Sequence, residues 1–143
     1  MTVASILAEK GRDVFTIDQD AKMSKVVDIL AENRVGAMVV LDNNENVSGI
    51  ISERDIVREI SKSGASVLKQ PVSSFMTRTV ISCDEADTVD QVMGVMSENR
   101  FRHVPVVTGG KLVGIISIGD VVKRKIQQAE KDAEDMRSYI AAG

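Results

Sequence analysis

Aromatic side chains are nearly missing from this chain of 143 residues: it has no Trp, one Tyr and three Phe. Single-stranded nucleic acid is gripped on platforms of such rings, so that class of function is excluded. The formal net charge of −3 argues against nucleic acid and against anionic membranes as well. One cysteine, Cys83, leaves no intrachain disulfide, and one histidine, His103, leaves no zinc site of the usual Cys/His kind. No run is apolar for the length of a membrane span, and Met1-Thr-Val-Ala-Ser-Ile-Leu-Ala lacks the basic-then-apolar profile of a secretion signal. A soluble, cytoplasmic protein is the expectation, with no nucleic-acid or membrane partner. Its core must come from Val, Ile, Leu, Met and Ala, with Cys83 as one more small core residue.

What the chain does have is a duplication. Val14-Phe-Thr-Ile-Asp18 recurs 66 residues later as Val80-Ile-Ser-Cys-Asp84, and Glu32-Asn-Arg34 recurs unchanged as Glu98-Asn-Arg100. At an offset of 65, Gly49-Ile-Ile-Ser-Glu-Arg-Asp55 is matched by Gly114-Ile-Ile-Ser-Ile-Gly-Asp120. A period this long marks a repeated supersecondary unit, and two copies are expected to pack face to face about a pseudo-two-fold axis.

Each copy reads as strand, helix, strand, strand, helix, an α/β (α+β) arrangement. In the first, Val14–Ile17 is β-prone, and Asp20 is the expected N-cap of a helix carrying Met23, Val26, Val27 and Leu30. Met38–Leu41 and Val47–Ser52 form a hairpin across Asp42-Asn-Asn-Glu-Asn46. A helix from Glu53 to about Ser61 turns Ile56, Val57 and Ile60 inward and stops at Gly64. In the second, Val80–Cys83 is the strand, and Asp87 or Thr88 caps a helix with Val89, Val92, Met93 and Met96. Val104–Val107 and Leu112–Ser117 pair across Gly109-Gly110. Ile6-Leu7 and Phe75-Met76 are matching apolar pairs that dock the segments leading into each copy. The expected units are residues 1–63 (first repeat with its lead-in), 64–79 (linker and second lead-in), 80–126 (second repeat) and 127–143 (an amphipathic tail). In that tail Val122, Ile126, Ala129, Ala133, Met136 and Ile140 are spaced four, three, four, three and four. This heptad-like stripe either covers the domain's own core or faces a second subunit.

The chemistry gathers at the repeated Gly-to-Asp stretches. Each is a buried strand running into a helix, with the serine at the N-cap and the aspartate in the first turn. Both side chains then face the positive helix end, where free N–H groups favour a polar or anionic ligand. A carboxylate with two acceptor oxygens suits the neighbouring hydroxyls of a ribose. A capping box that only starts a helix is the alternative for each copy. Arg102-His103 stands at the mouth of the second copy's central strand, where the first has Gly36-Ala37. An arginine there suits phosphate, which it grips through two parallel N–H bonds.

Duplication, element order and both signature stretches resemble a tandem pair of cystathionine-β-synthase (CBS) domains, the Bateman module, over about residues 3 to 126. The resemblance is to the free-standing bacterial type. It implies a non-catalytic regulatory module that binds adenine nucleotides or adenosyl ligands between the repeats, AMP foremost, with ATP or NAD(H) as alternatives. Carried over by position, one cleft would use Ser117, Gly119 and Asp120 for the ribose and Arg102 and His103 for phosphate. Thr16, Val35 and Gly36 would line its adenine side. The pseudo-symmetric cleft would use Ser52, Arg54 and Asp55 with Ser82 and Phe101, and it lacks the Arg-His pair. The resemblance further implies a homodimer and a regulated partner protein. Two rival readings are a ligand-free interaction module and a small hydrolase using Ser117, His103 and Asp120.

Overall fold

The computed structural model describes residues 1–142. Helix α1 (Val3–Lys10) precedes the first repeat, which comprises β1 (Thr16–Asp18), α2 (Met23–Asn33), β2 (Ala37–Leu41), β3 (Val47–Ser52) and α3 (Glu53–Ser63). Two short 3-10 turns, Ala65–Lys69 and Val72–Ser74, fill the linker. The second repeat has α4 (Val89–Asn99), β4 (His103–Thr108), β5 (Lys111–Ser117) and α5 (Ile118–Ala142). The result is the expected mixture of helices with two small sheets, one ordered β1-β2-β3 and the other β4-β5.

Both hairpins form where the turn chemistry places them, and both carry a register shift at equivalent points, Val40/Leu41 and Val106/Val107. Gly109 and Gly110 take positive φ in the second turn, a conformation that costs glycine little. Pro105 is tolerated within β4, and its carbonyl accepts the Cys83 N–H at 2.9 Å.

Three expectations need correction. The strand over Val80–Cys83 contracts to a single parallel bridge between Cys83 and Val106. Thr77 is still hydrogen-bonded both ways to Ile50 of the first repeat, so the few residues after it cross between repeats instead of pairing. Asp20 does not cap α2. Its own N–H is taken by the Asp18 carboxylate in a tight turn at 2.8 Å, the N-cap is Lys22, and the Met23 N–H is satisfied by the Gln70 carbonyl at 2.9 Å. Val57 and Met93 face outward, because one residue along a helix is about 100° around it from Ile56 or Val92.

The two cores are cross-assembled. One gathers Val3, Ile6 and Leu7 of α1 with Cys83, Val92, Met96, Val104 and Ile116 of the second repeat. The other gathers Val67, Val72 and Met76 of the linker with Met23, Val26, Met38 and Ile51 of the first. Each lead-in segment therefore packs on the repeat it does not lead into. Backbone bridges repeat the exchange: Thr2 pairs with Thr88, and Pro71 pairs with Lys22. The signature glycines make room for it. A Cβ at Gly114 would lie 2.6 Å from Leu7 Cδ2, and one at Gly49 would lie 2.5 Å from Met76 Sδ.

Candidate functional site

Each signature stretch folds as a reciprocal cap. The Asp120 N–H donates to Ser117 Oγ at 3.1 Å, and the Ser117 N–H donates to Asp120 Oδ2 at 2.9 Å. In the first repeat the Asp55 N–H donates to Ser52 Oγ at 3.3 Å, while the Ser52 N–H and Oγ both donate to Asp55 Oδ2 at 3.0 and 2.9 Å. The capping function is thus real in both copies, and it holds each carboxylate at a helix N-terminus.

Strand mouth and helix start are direct neighbours. His103 lies opposite Ser117 in the β4–β5 register, and the Ile118 N–H donates to the Arg102 carbonyl at 2.8 Å. The first repeat does the same with Ala37 opposite Ser52 and the Glu53 N–H on the Gly36 carbonyl. The repeats also meet here. A Cβ on Gly36 would sit 3.4 Å from His103 Nε2 and 3.5 Å from Glu53 Oε1, ordinary contact distances that place both side chains against the Gly36 backbone.

Two residues that local pattern does not single out complete the cluster. The Lys10 ammonium, arriving at the end of α1, donates to Asp120 Oδ2 at 2.7 Å and to the Ile115 carbonyl at 2.9 Å. Glu53 supplies a second carboxylate facing His103. No short-range spacing could have paired position 10 with position 120.

The other candidates are more dispersed. Thr16 is exposed and in register with Val39, and Val35 is half-buried against the first repeat's core. Gly119 and Arg54 are exposed in the first turns of α5 and α3, Ser82 is exposed beside Cys83, and Phe101 is half-buried before β4. Among the described residues, no hydrogen bond ties Thr16, Val35, Ser82 or Phe101 to either carboxylate. Asp55 is instead approached by the exposed Arg58 guanidinium at 3.5 Å.

The electrostatics follow from these neighbours. Burial holds the His103 imidazole below its ordinary value, and the Lys10 charge adds to that. Asp120 and Glu53 push the other way, and Arg102 works with Lys10. Burial alone would raise the Asp120 carboxyl, but the Lys10 hydrogen bond and the Ser117 amide outweigh it, so the group stays ionised below the usual carboxylate range. Cys83 is pushed up to about 12 by burial and by Asp87 and Asp84, which keeps it a thiol.

His103 carries a consequence for stability. Its folded value lies below the ordinary 6.5, so its stabilising contribution is whole above that pH and is lost as pH falls through the lowered value. The melting temperature should decline on acidification from about pH 6.5, and His103→Gln should flatten that decline. An unchanged slope in the variant would show that another group drives it.

A cavity of about 60 Å³ opens beside Asp120, with Lys10, Lys123 and Arg124 on its walls. That is well short of the roughly 300 Å³ at which small-molecule sites begin. The donor set suits a phosphorylated ribose, with a carboxylate for the diol and cations for the phosphate, yet the Lys10 arm stands in the way.

Comparison with known proteins agrees with this architecture. A profile of the CBS domain matches residues 4–62 and 72–126. A CBS-domain containing protein from Agrobacterium tumefaciens superposes with a TM-score of 0.83 at 45% identity, over 87% of this chain and 92% of its own. A CBS domain pair crystallised with 5′-methylthioadenosine and S-adenosyl-L-methionine superposes with a TM-score of 0.76 at 26% identity, over 86% and 98%. A CBS domain protein from Pyrobaculum aerophilum complexed with AMP gives 0.75 at 28% identity, over 84% and 89%. With one profile match on each repeat and this shared fold, the chain belongs to the CBS-domain family as a tandem pair.

Proposed function

We propose that this CBS pair is a non-catalytic regulatory module whose second-repeat site takes an adenosine ligand, AMP foremost, with ATP and NAD(H) as alternatives. The observation that carries the reading is Asp120, held ionised at a helix N-terminus on the seam where His103 of one repeat meets Gly36 of the other. Oδ2 is engaged by Ser117 and Lys10, and Oδ1 is left to accept from a ribose hydroxyl. Arg102 and His103 would meet the phosphate, with Ser117 and Gly119 beside the sugar and Thr16, Val35 and Gly36 toward the base. The complexes of related CBS pairs with AMP and with adenosyl compounds support the ligand class. The pseudo-symmetric site, with Ser52, Arg54, Asp55, Ser82 and Phe101, would bind phosphate less well for want of the Arg-His pair. The module would act as a homodimer whose altered shape is read by a further protein.

Catalysis fits the geometry poorly. Ser117 Oγ is occupied as an N-cap acceptor, and no hydrogen bond joins it to His103 among the described residues. Calorimetric titration with AMP, ATP, NAD(H) and S-adenosylmethionine tests the reading, alongside thermal melts. Saturable binding should raise the melting temperature, by about 2.7 kcal/mol of added stability at a hundredfold excess over Kd. Melts unmoved by millimolar amounts of every compound would leave only a ligand-free interaction module.

A further inference from the structure

Helix α5 runs 25 residues, and from Ala129 to Ala142 every one of them is exposed. The apolar stripe does not cover the domain's own core: Ile126, Met136 and Ile140 are 54, 59 and 69% exposed. An isolated helical segment of that length is marginal in water, so the stripe calls for a covering partner.

We infer that the tails of two copies pair in parallel and in register along Val122, Ile126, Ala129, Ala133, Met136 and Ile140. This deepens the homodimer reading above and is independent of any ligand. The charges beside the stripe choose the arrangement. In heptad terms Ile126, Ala133 and Ile140 are a positions, and Val122, Ala129 and Met136 are d positions. The flanking g and e positions are then Lys125 with Glu130 of the second copy, and Asp132 with Arg137 of the second copy. Both combinations are attractive, and symmetry doubles them. An antiparallel pair burying the same six residues would set Glu130 against Glu130, Asp132 against Asp132 and Lys123 against Arg137. Sliding that pair by a heptad relieves the repulsion only by leaving Val122 and Ile126 uncovered.

The module leaves room for the second helix. The side of α5 docked on the repeats carries Val121, which is buried, with Arg124 reaching Glu9 and Lys125 reaching Asp90. Val122 lies about 100° around the helix from Val121, so the stripe faces sideways past the domain. Pairing requires Lys125 to exchange its solvent-exposed contact with Asp90, and Asp132 its contact with Gln128, for partners on the other copy.

Charge reversal in the chain of 143 residues, read by sedimentation equilibrium, tests the seam. Glu130→Lys should weaken the dimer about tenfold, and the double variant Lys125→Glu/Glu130→Lys should restore it to within about threefold. Ala133→Cys should form an intermolecular disulfide under mild oxidation, since in-register a positions face each other and the native Cys83 is buried. A dimer that ignores the reversals, or whose Ala133→Cys variant fails to cross-link, overturns the parallel seam while sparing the homodimer reading. A chain still monomeric at about 100 µM overturns both.

Discussion

Leu7→Ala should lower the unfolding free energy by about 2–5 kcal/mol, a large share of the roughly 5–15 that a domain usually has. The side chain is 1% exposed and sits in the second repeat's core, although it lies at the very start of the chain. Truncating it opens a cavity against β5 that fully packed neighbours cannot close. Gly114→Ala should also destabilise, by about 1–3 kcal/mol, through the opposite fault of overpacking, because its new Cβ would fall 2.6 Å from Leu7 Cδ2. Combined, the two substitutions should cost less than their sum, since the added methyl enters the space the leucine vacates. Urea unfolding of the four proteins measures the coupling. Strict additivity would mean that Leu7 and Gly114 do not touch in solution.

Asp120→Ala should weaken AMP binding on the order of tenfold to a hundredfold, the equivalent of about 1–3 kcal/mol for the hydrogen bonds of a buried diol. Because the substitution also removes half of a capping box, Gln91→Ala is the matched control: it breaks the equivalent half of the Thr88 box on α4 and touches neither candidate site. Lys10 gives the complementary result. Its ammonium already occupies Asp120 Oδ2, so a nucleoside must displace or share it. Adenosine should bind Lys10→Met more tightly than the unaltered protein, for lack of a competitor at the carboxylate. If calorimetry gave equal AMP affinity for Asp120→Ala and the parent, Asp120 would be removed from the site.

How far the sequence can be read depends on the range of the interactions involved. Both hairpins, the Thr88 cap and the Ser117–Asp120 and Ser52–Asp55 boxes rest on neighbours within a few residues, where spacing alone carries the signal, and the duplication shows once the chain is laid against itself. Asp20 misleads because a carbonyl far along the chain, that of Gln70, supplies what its side chain is expected to supply. Lys10 is hidden for the same reason: its partner is 110 residues distant, and nothing in the local pattern of α1 distinguishes it from a solvated lysine. Glu53 sits at a variable position of the signature stretch, and its meaning emerges only when Gly36 and His103 are brought together across the seam.

The exchange of lead-in segments sets an order of events during synthesis. Helix α1 leaves the ribosome before either repeat, yet its docking surface on β4 and β5 is completed only with the second. Until then Val3, Ile6 and Leu7 have no native place to go, while the first repeat can close as soon as Met76 emerges. Helix α1 is therefore the final latch, and a bulky group joined just ahead of it would obstruct the last step of assembly rather than the first.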